Sequence, residues 1–167
     1  MDHLRRLFEG IGFTEVETFI ASGNVIFEAA DKSSKALERK IEATLQEALG
    51  YKVATFIRTP AELAEIAGHK PFKASDLEEE GNFLYISFAA ETPSQEAQQK
   101  LLTFTTEVDE FHIHKREVYW LCRKKLSDSK FSGALLEKTL GLPLTMRNAT
   151  TVKKMASKYS SKEQNDL

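Results

Sequence analysis

Between Asn82 and Arg147 the apolar residues switch repeatedly between a period of two and a period near 3.6. The order of those switches restricts the fold more than any single residue does. Asn82–Ala89 alternates, with Leu84, Ile86 and Phe88 on one face and Phe83 and Tyr85 on the other, and predicts a strand. Thr92-Pro93-Ser94-Gln95 opens a helix to about Leu102. The threonine caps it, and proline suits the first helical position because its missing N–H is not needed there. Glu107–Ile113 and Glu117–Cys122 predict two strands joined by a tight turn near His114-Lys115-Arg116. Phe131–Leu140 predicts a helix stopped by Gly141, and Leu144–Arg147 a short strand. Strand, helix, strand, strand, helix, strand is the split βαβ, or ferredoxin-like, order.

The first half follows the same order with one element absent. Residues 3–9 predict a short helix. Thr14–Ile20 and Val25–Phe27 predict a hairpin around Ser22-Gly23-Asn24, residues that tolerate positive φ. Ser33 or Ser34 caps a helix in which Leu37, Ile41, Leu45 and Leu49 step by four, and Gly50 ends it. Val53–Ile57 predicts a further strand. The expected fold class is therefore α+β: two tandem ferredoxin-like (βαββαβ) subdomains, the first missing its opening strand. The expected boundaries are 1–58 for the first half and 82–148 for the second. A connecting helix, started by Thr59-Pro60-Ala61-Glu62, and an acidic loop occupy 59–81; a C-terminal helix, capped by Thr150 or Thr151, and a polar tail occupy 149–167. Leu37, Ile41, Leu45, Phe27 and Ile57 are expected to form the first core, and Trp120, Phe88, Ile86, Leu135 and Leu136 the second.

The missing strand has a physical consequence. In a complete unit it lies between the third and fourth strands, here Asn24–Glu28 and Val53–Ile57. Each buried, unpaired backbone group costs about 1–3 kcal/mol, so the gap must be answered. The two strands pair directly, or a segment of the second half fills the gap, or a second chain adds a strand. The expected outcome is a homo-oligomer formed through the exposed sheet edge. The strands are also apolar on both faces, as Phe19 beside Ile20 and Tyr119 beside Trp120 show. Packing between subdomains is the expected cover for the second face.

The chain has 167 residues, 41% hydrophobic and 29% charged, enough for a real core. No stretch approaches the about 20 apolar residues of a membrane span, and the start Met1-Asp2-His3-Leu4-Arg5-Arg6 has no secretory pattern. A single cysteine, Cys122, lies in the apolar pattern Val118–Cys122 and reads as a buried, inert thiol. A cytoplasmic location and no membrane association are the expectations. Charge is unevenly placed: residues 60–110 carry 3 Lys/Arg against 11 Asp/Glu, a balance of −8, and residues 115–162 carry 12 against 3, a balance of +9. The basic region makes an anionic partner worth considering.

Five residues form a candidate anion site. Ser129 and Lys130 fall at one expected helix start, and Arg147, Asn148 and Thr151 at the next, where free N–H groups favour a phosphate or carboxylate. Ordinary capping plus surface charge is the competing interpretation. Ser127-Asp128-Ser129-Lys130 also spells Ser-x-x-Lys, but its companion hydrolase motifs are absent and helix capping explains it better. His112-x-His114 places two imidazoles on one strand face, a spacing metal sites use, yet the sequence marks no third ligand. Exposed hairpin histidines, no metal and no cofactor are expected.

Gly12-Phe13-Thr14, the run Thr18-Phe19-Ile20-Ala21-Ser22-Gly23-Asn24-Val25-Ile26-Phe27, Lys70-Pro71-Phe72, Ser129-Lys130-Phe131 and Thr145-Met146-Arg147-Asn148 together resemble the bacterial "domain of unknown function 1697" family. The resemblance implies a two-subdomain α+β protein with no assigned activity. It also implies an opening strand and glycine-containing loop that this chain lacks, and a tryptophan after the Arg-Asn pair where Ala149 stands. The leading functional expectation is a binding module for an anionic ligand, nucleic acid or nucleotide. The alternatives are an enzyme acting on a small phosphorylated or carboxylated metabolite, with no identifiable catalytic residue, and a protein-interaction or oligomeric scaffold.

Overall fold

The computed structural model describes residues 2–19, 23–30, 33–124 and 128–163. Ile20 and Ser22 of the expected hairpin, Ser127 of the Ser-x-x-Lys run and the end of the polar tail lie outside them. The chain is α+β and divides into two compact units, Met1–Arg58 and Thr59–Leu167.

In the first unit, α1 (Asp2–Gly10) precedes an antiparallel pair, β1 (Thr14–Phe19) and β2 (Asn24–Glu28), followed by α2 (Ser34–Leu49). Ser33 caps α2 through its hydroxyl, and Gly50 ends it at φ 80°, a left-handed conformation that glycine adopts without steric cost. Three residues of the i, i+4 stripe, Leu37, Ile41 and Leu45, are buried with Phe8, Phe13 and Val16, and Phe27 and Ile57 pack against them partly buried, while Leu49 at the end of the stripe is exposed. Phe13 and Phe27 stack at 4.5 Å.

The expected strand at Val53–Ile57 does not form. Among the described residues this segment pairs with no strand; instead two of its N–H groups are met by side chains of α2. Thr55 N donates to Glu42 Oε1 (2.9 Å) and Ile57 N donates to Glu38 Oε1 (3.0 Å). Alternate N–H groups of an extended chain point the same way, and residues four apart on a helix share a face. Two glutamates one turn apart thus stand in for the acceptors of a neighbouring strand.

In the second unit, α3 (Pro60–Gly68) and α4 (Ala74–Glu78) precede β3 (Phe83–Ala89), α5 (Gln95–Leu102), β4 (Asp109–His114), β5 (Glu117–Cys122), α6 (Gly133–Leu140), β6 (Leu144–Asn148) and α7 (Ala149–Glu163). The expected acidic loop contains α4, and α6 starts two residues later than expected because Ser132, not Asp128 or Ser129, caps it. The four strands form an antiparallel sheet in the order β4-β5-β3-β6. Trp120, Leu136, Phe111, Phe131 and Leu101 form the core on the α5/α6 face, with Leu135 partly buried against it. Ile86 and Phe88, expected beside Trp120, are buried on the other face, since Ile86 stands opposite Tyr119 in register and neighbours alternate across a strand.

That second face is covered from within the same unit. Tyr119 donates its hydroxyl to Ile66 O of α3 (2.8 Å), α3 packs on α7, and α7 touches β3 and β6. Val152, Met155 and Ala156 of α7 are buried. The expectation that a separate subdomain covers this face is therefore corrected for the second unit. No described helix is long and apolar enough to cross a membrane.

Candidate metal site

The β4–β5 hairpin closes with a two-residue turn, and His114 pairs with Glu117 across it. Lys115, in the turn, holds a positive φ of 55°, uncommon for a residue with a Cβ. The tip is tied to α3 by two ion pairs: Lys115 Nζ to Glu65 Oε1 and Arg116 Nη2 to Glu62 Oε2, both 2.6 Å. The start of α3 is itself fixed by a capping box in which Thr59 and Glu62 bond each other's backbone N–H. Docking of helix on hairpin then brings the last residue of the helix end, His69, to the strand face that carries His112 and His114.

His69 lies over His114 with ring centroids 4.1 Å apart and planes inclined by 13°, and its ring is 5.3 Å from that of His112. One ligating atom from each of the three histidines lies within 4.8 Å of the other two. Tyr119, opposite His112 in register, closes the floor at 5.2 Å from His69. Among the described residues, His69 Nε2 is a buried side-chain nitrogen with no hydrogen-bond partner. A buried polar atom left unpaired costs about 1–3 kcal/mol, so such an atom calls for an explanation.

Burial holds the His69 imidazole below its usual proton affinity, and any positive charge on His114 or His112 pushes it further down. Burial does the same to His112, reinforced by His114. Burial raises the Tyr119 phenol strongly. The Lys115 ammonium bonded to Glu65 holds that carboxyl below the ordinary range. Neutral imidazoles are the form that ligates metals. The carbonyl end of α3 adds a negative dipole beside His69, which favours a cation.

Three imidazoles are a sufficient protein ligand set for zinc, with nitrogens 2.0–2.1 Å from the ion and therefore about 3.4 Å from each other. Drawing the observed atoms together requires small side-chain rotations that turn the His69 and His114 rings out of their stack. The expectation of a solitary, exposed histidine pair is corrected: all three rings are partly buried, and His69 supplies the missing partner. No local motif marks His69, because it comes from a distant helix end; only Glu65-x-x-x-His69, an i, i+4 pair with ligand residue types, hints at it.

The residues expected to hold an anion are distributed differently. Ser129 Oγ donates to the buried carboxylate of Asp109 (2.9 Å to Oδ2), which also accepts from Trp120 Nε1 (2.9 Å). Lys130 is exposed. Arg147 Nη1 donates to Thr145 Oγ1 (2.7 Å) and to Met146 O (2.9 Å), and burial lowers its proton affinity from the usual value. Asn148 Oδ1 accepts from Thr150 N (2.9 Å) and so caps α7; Thr151 is partly buried in its first turn. Asp109 and Arg147 lie on the two opposite edge strands, three strand spacings or about 14 Å apart. Ser129, bonded to Asp109, and Arg147 thus stand toward opposite edges of the sheet. Cys122 is fully buried, and burial raises its thiol.

In overall fold the chain is similar to a conserved bacterial protein from Streptococcus pneumoniae, with a TM-score of 0.69 and 22% identity over 94% of this chain and 87% of that one. None of the curated proteins matches it. The family model described as "Protein of unknown function (DUF1697)" matches residues 1–119, a span that includes all three histidines. The chain belongs to the DUF1697 family.

Proposed function

We propose that the protein binds a divalent transition-metal ion of the zinc class through His69, His112 and His114. The observation that carries this reading is the buried, unpartnered Nε2 of His69, set between two further imidazoles. An ion at their centre gives that nitrogen a partner, and gives the three clustered rings a common role. Imidazole donors select zinc, nickel, cobalt or copper over magnesium and calcium, which prefer oxygen.

Within this proposal the second unit is a ferredoxin-like module: its connectivity and its order β4-β5-β3-β6 support that reading. The histidines sit on its edge strand and on the helix that covers its second face. An anion-binding role for Lys130 and Arg147 has the basic C-terminal charge in its favour.

Titration with Zn2+ against a chromophoric chelator tests the reading. One ion per chain is expected, with affinity weakened at least about tenfold in His69→Ala and in His112→Ala. Equal, weak binding by the parent and both variants would sink it.

A further inference from the structure

Resting on the metal-binding reading, we infer that Glu65 is the fourth ligand, and that it reaches the ion by leaving Lys115, so that the site is closed to solvent ligands.

The donors come as two chelating pairs. Glu65 and His69 stand at i and i+4 of α3 and its cap, on one face of the helix. His112 and His114 stand at i and i+2 of β4, on one face of the strand. Glu65 Oε1 lies 3.7 Å from His114 Nε2, close to the about 3.4 Å that separates two donors on one tetrahedral ion. The same oxygen bonds Lys115 Nζ at 2.6 Å. Carboxylate and ammonium are 54% and 62% exposed, so their attraction is screened and the lysine moves into water at little cost. The exchange trades one weak charge pair for a carboxylate–metal bond, with no proton transferred. Three imidazoles and a carboxylate fill a tetrahedral shell, the arrangement of a structural or storage site rather than of a catalytic one, which keeps a position for water or substrate. Lys115 then acts as a placeholder that holds the carboxylate beside the histidines.

Cobalt(II) with azide as a competing ligand tests this, because both are visible in one absorption spectrum. The parent's cobalt band should not respond to azide. Glu65→Gln, an exposed and conservative change, should open a position, so that its band shifts with azide and its cobalt affinity falls about tenfold or more. Lys115→Ala should tighten cobalt in the parent background and have no effect in the Glu65→Gln background. A parent band that azide shifts as readily as that of Glu65→Gln would overturn the inference. So would a Lys115→Ala effect that persists without the carboxylate, since that marks simple charge repulsion. A failure to bind cobalt in a His69-dependent way would overturn the metal-binding reading itself and this inference with it.

Discussion

His69 and His114 stack face to face, 4.1 Å between ring centroids, although one ends a helix and the other ends an edge strand. Two imidazoles this close cannot both carry a proton without repulsion, and their proximity ties the protonation of the cluster to the stability of the unit.

The sign of that coupling follows from the depressed proton affinities of His69 and His112. The unfolded chain, with imidazoles near 6.5, binds protons that the folded chain refuses. Stability therefore rises with pH across the window below about 6.5 and is level above it. Urea unfolding between pH 5 and 8 should show the second unit losing stability as pH falls through 6.5. A His69→Gln variant should flatten that slope; an equally steep slope would remove the cluster as its cause.

In the first unit, Glu38→Ala removes the acceptor of Ile57 N from a buried position. The expected loss is about 1–3 kcal/mol, with faster hydrogen exchange at the Ile57 amide. Glu38→Gln keeps a carbonyl oxygen in place and should lose less. Unchanged exchange at Ile57 in Glu38→Ala would show that the carboxylate does not replace a strand partner.

Asp109 joins the single tryptophan to the segment before α6, accepting from Trp120 and Ser129. Asp109→Ala leaves a buried indole N–H unpaired and should cost about 1–3 kcal/mol at that group alone. Tryptophan fluorescence during denaturation reads the site directly. Ser129→Ala should be the milder change, because Asp109 retains the indole.

Thr59→Ala removes the cap of the helix that carries Glu62, Glu65 and His69. A cost of about 0.5–2 kcal/mol is expected. Zinc affinity should fall modestly as well, since α3 fixes His69 against the hairpin. An undiminished affinity would mean that docking on α7 alone positions the histidine.

Much of the secondary structure was legible because it is local. Thr59-Pro60-Ala61-Glu62 is a capping box in sequence and in structure, and Leu37, Ile41 and Leu45 form the buried stripe their spacing predicts. Val53–Ile57 misled because an apolar alternating run reads as a strand whether or not a partner exists. Ser129 misled in a similar way: a serine before an apolar run signals a cap, but Ser132 took that role while Asp109 claimed Ser129.

By itself the sequence determined most of the element order, the caps at Ser33 and Thr59, the buried stripe of α2 and the placing of His112 and His114 on one side of a strand. These follow from periods of two and 3.6 and from hydrogen bonds that span a few residues. Only tertiary structure decided that Glu38 and Glu42 accept from the N–H groups of Ile57 and Thr55, that α3 and α7 cover the second face of the sheet, and that His69 joins the other two histidines. Each of those depends on which surfaces bury one another across long stretches of chain, and residue spacing along the chain carries no record of it.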